Sequence, residues 1–302
     1  MKISPSYRGI FFMLLAALGF SVMGGAAKAL KGSFNAGQLV FWRNSIGLLF
    51  IVVSLLNRAP EQTGGKLLRL IFRGFMGTSA VYMLLYCILH LPLGTAMSYN
   101  LTSALFIALF TFLLFKEYEG GWVIMAVLLG FAGMLLIYKP SIHLPWYYHL
   151  AGLLSGILSA IAYITVGKLT KYYDTRVIVL SFVLTGVLVP LLFTSFRSIL
   201  QLPADDILFI NWRWPQQTEW WYILLMGCSA LFGQYFVTKA YGADKAGIVS
   251  AISYAGIIFS IFIGMMLGDA FPDTVSLFGI LLIIISGLMI SLIKKKRSAD
   301  AN

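Results

Sequence analysis

The chain has few charged residues, few carboxylates and almost no cysteine or histidine. Only 11% of its 302 residues are charged, against about 25% in soluble domains, while 60% are hydrophobic. Two cysteines and three histidines leave no disulfide framework and no set of metal ligands. No Asp or Glu lies deep in an apolar segment, and nothing resembles a nucleophile beside a base. These absences argue against a soluble domain and predict no enzyme, cofactor or metal site.

Long apolar runs follow one another along almost the whole chain. A hydrocarbon core about 30 Å thick needs roughly 20 helical residues. The predicted spans cover 9–30, 36–56, 67–90, 93–115, 120–138, 148–171, 175–196, 219–242, 245–267 and 274–293. The first run is too long for a signal peptide, so we interpret it as an uncleaved helix. The predicted fold class is an all-α membrane protein of about ten transmembrane helices.

The basic residues lie mainly between the apolar runs, where they predict topology. Of the 22 Lys and Arg residues, 16 fall on the side of the N-terminus and 5 on the other, which leaves Arg43 inside the second span. Cytoplasmic loops are enriched in Lys and Arg, so both termini are expected in the cytoplasm, with the chain in the inner (plasma) membrane. The net charge of +11 therefore indicates orientation among membrane lipids, and no nucleic-acid partner is expected.

A short motif repeats at a distance of 150 residues. Met76–Ala80 in the third span reads MGTSA, and Met226–Ala230 in the eighth reads MGCSA. Two further pairs fit the same comparison after a two-residue insertion: Ser98 with Ser250, and the helix-ending Glu117 with Asp269. Matching span lengths and the shared acidic end indicate an internal duplication.

The duplication must be inverted, because each half holds an odd number of spans. The predicted repeats cover 1–140 and 146–293, followed by a basic cytoplasmic tail at 294–302. This arrangement places Glu117 at the cytoplasmic side and Asp269 outside. Inverted repeats commonly hold a substrate near the midplane and work by alternating access, in which one half rocks against the other.

Polar and aromatic residues at helical spacing mark one face of the third span and one of the fourth, and the repeat offsets carry these faces to the eighth and ninth spans. Polar groups in hydrocarbon are expected to face the bundle interior. The predicted substrate-binding residues on these faces are Ser79, Tyr82, Tyr86, Ser98, Tyr99, Thr102, Ser229, Phe232, Phe236, Ser250 and Tyr254. Close helix packing is the alternative interpretation, because small and hydroxyl side chains also let helices approach.

Arg43 is interpreted as the only charge well inside a span, while Arg73 is counted with the cytoplasmic end of the third span. Burial of Arg43 costs several kcal/mol unless the charge is paired or hydrated. It either binds a carboxylate or phosphate group of a substrate, or hydrogen-bonds carbonyls of neighbouring helices as a structural clamp. Glu117 and Asp269, and His90 at the outer mouth, are the predicted coupling or gating residues.

Together these features resemble the drug/metabolite transporter superfamily, and within it the EamA-type permeases. Arg43 and the Phe115–Glu117 end of the fourth span match the family pattern, and the resemblance covers nearly the whole chain. It implies a pocket framed by both halves, with spans 3, 4, 8 and 9 prominent, and substrates such as amino acids and other small metabolites. Family members often carry a proline midway along spans 4 and 9, where this chain has Ser103 and Ala255.

The sequence therefore predicts a secondary transporter of a small metabolite, with export favoured over uptake and with a proton or a counter-substrate as coupling partner. An amino-acid-like solute would bind Arg43 through its carboxylate. A choline-like or S-adenosylmethionine-like cation, taken up or exchanged, would instead need an aromatic cage. Its members would be Tyr82, Tyr86, Tyr99 and Tyr254. A third hypothesis is a non-transporting scaffold or lipid-handling subunit, which would present a lipid-filled groove.

The predicted topology is tested by labelling single introduced cysteines. A cysteine near Gln216 should react with an impermeant maleimide in intact cells, because the loop before the eighth span faces outward. A cysteine near Gly64 should react only after permeabilisation. The reverse pattern of labelling would contradict the predicted orientation.

Overall fold

In the computed structural model, which describes residues 8–61, 63–115, 121–138, 145–200, 212–243, 249 and 252–300, the named elements are all helices. Their bounds are α1 Arg8–Ala29, α2 Ala36–Asn57, α3 Leu67–His90, α4 Leu93–Leu101, α5 Ser103–Phe115, α6 Gly121–Tyr138, α7 Trp146–Leu169, α8 Thr175–Leu200, α9 Gln217–Ala243, α10 Ala255–Met266 and α11 Thr274–Asp300. The all-α fold class is confirmed. Counting α4 with α5 as one span gives the ten that the sequence predicts.

Six helices are individually long and apolar enough to cross a membrane, namely α1, α2, α3, α7, α8 and α9, and α10 and the first part of α11 are shorter apolar helices. Large apolar side chains cover much of the outer surface of the bundle, as Leu56 and Leu68 show with more than four-fifths of their surface exposed. In a bilayer such side chains contact lipid tails. The chain is a multi-pass membrane protein.

The helices pack in recurrent pairs. α1 lies along α9 and α3 along α7, while α2 packs on α8 and α6 on α11. Further contacts join α1 to α10, and α7 to α4 and α5. The central elements of the bundle are therefore α1, α3, α7 and α9, with α2 and α8 closing one flank and α6 and α11 the opposite flank.

Glycines allow α8 to approach α2 and α3 closely. A Cβ atom on Gly74 would lie 2.6 Å from the carbonyl oxygen of Ser181, and a Cβ atom on Gly186 would collide with the Asn44 amide. Beside the first contact, the hydroxyls of Thr78 and Thr185 are 2.9 Å apart. Small residues at membrane helix crossings let backbones approach and let hydroxyls hydrogen-bond across helices.

The fourth and ninth spans are interrupted where the sequence predicts continuous helices. Thr102 forms a turn between α4 and α5, and its hydroxyl donates a 2.6 Å hydrogen bond to the carbonyl of Tyr99. Tyr254 forms a turn immediately before α10. The two turns lie beside Ser103 and Ala255, so both spans break near the position where family members often carry proline, although this chain has none there.

Candidate functional site

A cavity of about 40 Å³ lies where seven helices of the bundle meet. Its lining residues are Phe20 and Met23 of α1, Arg43 of α2, Arg73, Gly77, Ala80, Val81 and Leu84 of α3, Met97 and Asn100 of α4, Ser159, Ala162 and Tyr163 of α7, Phe182 of α8 and Gln234 of α9. We call it the central cavity. Both sequence halves contribute to its wall, as the sequence predicts for the pocket.

Two arginines are the dominant feature of the central cavity. Arg43 is 3% exposed and Arg73 is 1% exposed. The Nη1 atom of Arg43 donates a 3.0 Å hydrogen bond to Oδ1 of Asn44, but its Nε atom has no acceptor among the described residues. Arg73 leaves both Nε and Nη1 without one. Buried groups normally have partners, so unsatisfied donors on two cations point to a ligand.

The Phe182 ring lies beside both charges. The guanidinium carbon of Arg43 is 5.1 Å from the ring centroid, and that of Arg73 is 4.8 Å from it. Both distances fall within the range of cation–π attraction. Gly77 makes room for this arrangement, because a Cβ atom there would lie 2.9 Å from a Phe182 ring carbon. The ring therefore supports both side chains without neutralising either one.

The rest of the polar wall comes from α4, α7 and α9. Asn100 donates hydrogen bonds of 2.7 Å to Ser155 and 2.9 Å to Ser159, which ties α4 to α7. The Nε2 atom of Gln234 is buried and has no partner in the described part of the chain. None of the lining residues is an Asp or Glu. The wall thus offers hydrogen-bond donors and positive charge.

Arg43 uses an asparagine as its support. Asn44 is fully buried, accepts from Arg43 through Oδ1, and donates through Nδ2 to the Val40 carbonyl at 2.7 Å. Because Gly186 leaves space for the amide, α8 packs directly over this support. The clamp interpretation required hydrogen bonds from Arg43 to carbonyls of neighbouring helices, and its described hydrogen bond is to the adjacent side chain instead.

The interpretation of Arg43 as the only charge inside a span is wrong, because Arg73 is also buried. Arg73 shares one helical face with Leu70, Gly77 and Ala80, all of them buried, whereas Arg69 one turn earlier is exposed. This spacing of three and four residues was available in the sequence. The count of basic residues does not reveal the burial of Arg73, because it assigns Arg73 to the cytoplasmic end of the third span.

The other residues predicted on α3 lie away from the central cavity. Tyr82 is buried in the apolar core, and Ser79 is partly exposed on another side of the helix from Arg73. Tyr86 lies 5.5 Å from Tyr148 between ring centroids. His90 stacks on Tyr148 at 4.4 Å. These four residues are not brought together with Arg43.

The predicted face of α4 is occupied by contacts within the bundle. Ser98 donates a 2.7 Å hydrogen bond to the carbonyl of Gly94 one turn earlier. The Tyr99 hydroxyl lies 2.8 Å from Nδ1 of His149 on α7. Thr102 donates to the Tyr99 carbonyl at the turn. Among the polar residues of α4, Asn100 lines the central cavity. It is not one of the residues that the sequence predicts to bind substrate.

The predicted residues of α9 make other contacts. Ser229 donates a 2.5 Å hydrogen bond to the Leu225 carbonyl, and Phe232 is 42% exposed. The ring centroid of Phe236 lies 5.7 Å from that of Phe12. Tyr254 is buried in the same apolar core as Tyr82. Ser250 and Glu117 lie outside the described residues. Of the predicted binding residues, Arg43 is the one that the structure places in the central cavity, and the ligand roles of the others stay predictions.

An ion pair links three segments at the end of the bundle that the sequence predicts to face outward, called the outer end below. Lys28 at the end of α1 pairs with Asp269, which follows α10. Lys28 also donates to the Leu91 carbonyl at 3.2 Å, and Asp269 accepts from the backbone N–H of Leu93, the first residue of α4, at 2.8 Å. A carboxylate at this position caps the helix and interacts favourably with its dipole.

A second cavity, of about 530 Å³, lies at the outer end. Its wall includes Lys31, His90, Trp212 and Arg213. Arg213 holds the loops together there, because it donates to the Ser33 carbonyl at 3.2 Å and pairs with Glu219 at 3.3 Å.

The opposite end of the bundle has a matching network around a cavity of about 920 Å³. Arg176 pairs with Asp174 at 2.8 Å and donates hydrogen bonds to the carbonyls of Ser54 and Arg58 at the end of α2. Burial raises the pKa of Asp174, but the hydrogen bonds and charge of Arg176 outweigh that effect and leave the pKa below its ordinary value. The carboxylate therefore stays ionised, and this end is tied together at neutral pH.

The sequence of the chain is similar to those of known proteins. Residues 7–139 match the EamA-like transporter family. A Helicobacter pylori protein described as an uncharacterized transporter is 31% identical over 94% of each chain. The chain belongs to the EamA-like transporter family. This confirms the resemblance seen in the sequence, and small-molecule transport is the shared activity of the named relatives.

Two further comparisons extend over almost the whole chain. The pseudopaline exporter CntI of Pseudomonas aeruginosa is 30% identical over 95% of this chain and 97% of its own. A solved crystal structure aligns with a TM-score of 0.62 at 17% identity, covering 93% of this chain and 98% of the other. The latter likeness concerns the fold alone.

The outer ion pair is tested by a double-mutant cycle on Lys28 and Asp269. Lys28→Ala and Asp269→Ala should each lower the melting temperature in detergent, because each leaves a partly buried charge without its partner. The double variant should lose less stability than the two single changes together, with a coupling of roughly 0.5–3 kcal/mol. Lys31→Ala is the matched control, since Lys31 is exposed. Additive effects would mean that the ion pair contributes nothing.

Proposed function

We propose that this chain is a secondary transporter that exports a small carboxylate-bearing metabolite by alternating access. The observation that carries the proposal is Arg43, a buried cation in the central cavity with an unsatisfied donor and no acidic residue in the cavity wall. A carboxylate accepts hydrogen bonds from a guanidinium in a planar, two-pronged geometry. The carboxylate of such a solute would satisfy this donor and balance the charge of Arg43.

The cationic alternative finds less support. A cationic solute in the central cavity would face two guanidiniums, and like charges repel strongly where water is scarce. None of the four tyrosines proposed as its cage lines the central cavity, and two of them make other contacts: Tyr86 contacts Tyr148, and Tyr99 contacts His149. A lipid-handling role would need a lipid-sized groove, whereas the central cavity measures about 40 Å³ and has two arginines in its wall.

Alternating access would follow from an inverted duplication, which three observations support. Under the proposed repeat, α1, α2, α3 and α6 correspond to α7, α8, α9 and α11. The contact of α1 with α9 is then equivalent to the contact of α7 with α3. The contacts of α2 with α8 and of α6 with α11 each join two equivalent helices. The two interruptions, at Thr102 and Tyr254, are 152 residues apart, the offset that relates Ser98 to Ser250. The family match at 7–139 also ends where the predicted first repeat ends.

The two ends of the bundle supply the contacts that such a cycle would break in turn. At the outer end Arg213, from the loop before α9, contacts Ser33 in the loop before α2. At the opposite end Thr63, from the loop before α3, donates its N–H to Tyr172 in the loop before α8 at 3.0 Å. Under the proposed repeat these are equivalent loop pairs. Asp269 would act as a gate residue through its ion pair with Lys28.

Export is favoured because a relative of 30% identity is named an exporter. Direction is tested with vesicles of defined orientation. Everted membrane vesicles take up what the cell would export, and right-side-out vesicles take up what it would import. Both should be incubated with one defined mixture of amino acids and organic acids, and the trapped solutes measured by mass spectrometry. Everted vesicles should accumulate at least one carboxylate above vesicles without the protein.

Arg43→Gln should reduce this accumulation about tenfold or more, because a charge-assisted hydrogen bond contributes about 1.5–3 kcal/mol. Arg43→Lys keeps the charge but loses the planar fork, so an intermediate rate is expected. Arg69→Gln is the matched control, since Arg69 is exposed on α3. Melting temperatures in detergent must be measured beside the rates. Parent-like transport by Arg43→Gln, or a loss explained entirely by a lower folded yield, would contradict the proposed role.

A further inference from the structure

The central cavity carries two positive charges, and none of the described residues that line it is an Asp or Glu. The chain has 11 Asp and Glu residues, and none of them lies in the middle of a membrane span. Arg43 and Arg73 are each nearly inaccessible to solvent. Burying one unpaired charge costs several kcal/mol, so two such charges in one small cavity call for a counter-charge of two.

The unsatisfied atoms in the cavity wall are all donors. They are Nε of Arg43, Nε and Nη1 of Arg73, and Nε2 of Gln234. Together these groups lie on α2, α3 and α9. A bound molecule that satisfies them must present hydrogen-bond acceptors on more than one side, as ionised carboxylates do with two oxygens each.

The two arginines approach the cavity from opposite ends of the bundle. Arg43 lies about two helical turns from the start of α2, and Arg73 about two turns from the start of α3. α2 and α3 run in opposite directions, so their starting ends lie at opposite ends of the bundle. The Phe182 ring lies within about 5 Å of both guanidiniums. Two anionic groups on a short linker would contact one guanidinium each, once the cavity of about 40 Å³ widens to admit the solute.

We propose that the transported solute is a dianion, and that Arg73 binds its second anionic group while Arg43 binds the first. The inference rests on the proposed function, because it assigns the charge of the solute that this same cavity takes. A merely structural role for Arg73 would require acceptors from neighbouring helices. Two nitrogen atoms of Arg73, Nε and Nη1, have no acceptor among the described residues, and the contact with the Phe182 ring supplies no oxygen acceptor for them.

The test compares dicarboxylates with their own monomethyl esters. Succinate, glutarate and adipate differ in the distance between carboxylates, and each ester removes one charge at nearly constant size. Binding to the purified full chain is read from the rise in melting temperature at equal ionic strength, since a ligand that binds only the folded state stabilises it. At least one diacid should bind about tenfold more tightly than its ester, equivalent to 1.4 kcal/mol.

Arg73→Gln should remove the preference, so that the diacid and its ester bind alike, while Arg73→Lys should keep part of it. Arg69→Gln should keep the parent preference. Glycerol 3-phosphate is tested as an additional ligand, because it carries two charges on one phosphate. If it binds as tightly as the best diacid, the site recognises both charges on one group. If it binds more weakly, the site prefers two carboxylates. Either outcome agrees with a dianion.

The parent protein alone can overturn the proposal, so it does not depend on the folding of any variant. Equal binding of every diacid and its ester would contradict the dianion. If Arg43→Gln then abolished binding of both the diacid and its ester, the proposed transport of a carboxylate would stand although the solute need not be a dianion. Absence of binding by every diacid and by glycerol 3-phosphate would also overturn the dianion. Both proposals would fail together only if everted vesicles in addition accumulated no carboxylate.

Discussion

Two guanidinium groups buried in a cavity with no Asp or Glu among its described lining residues are the constraint on which the rest of the site depends. In the proposed site, Arg43 and Arg73 must be held in place and partly stabilised before the anionic solute binds. Asn44 fixes the first by a hydrogen bond, and Phe182 lies against both. The protein thus stabilises the positions of the charges while leaving their donors available, which is what a reversible anion site needs.

The same constraint explains why α8 packs so closely on α2 and α3. Gly77 admits the Phe182 ring and Gly186 admits the Asn44 amide, so both supports of the arginines lie at glycine contacts of one helix. Movement of α8 relative to α2 and α3 would therefore change the surroundings of both charges together. The larger cavities at the two ends of the bundle are lined by Arg213 and by Arg176, whose ion pairs tie loops and helix ends. In the proposed cycle, opening either end would require such pairs to separate.

Much of the fold was readable from the sequence, because runs of about 20 apolar residues have one favourable solution in a bilayer. The site was readable only in part. Arg43 is predictable because it interrupts an apolar run, whereas Arg73 lies near other basic residues and therefore resembles the basic end of a helix. Hydroxyl and tyrosine faces suggested a pocket, yet Tyr82 and Ser98 form core and backbone contacts that residue type cannot distinguish from binding. Which polar face meets the cavity depends on helix rotation, which packing decides.

The most direct test of the account is a structure of the chain with the solute that everted vesicles accumulate. This solute should lie in the central cavity, with one anionic group within hydrogen-bonding distance of Arg43 and a second within hydrogen-bonding distance of Arg73. A solute bound elsewhere, with both guanidiniums still facing an unchanged central cavity, would contradict it.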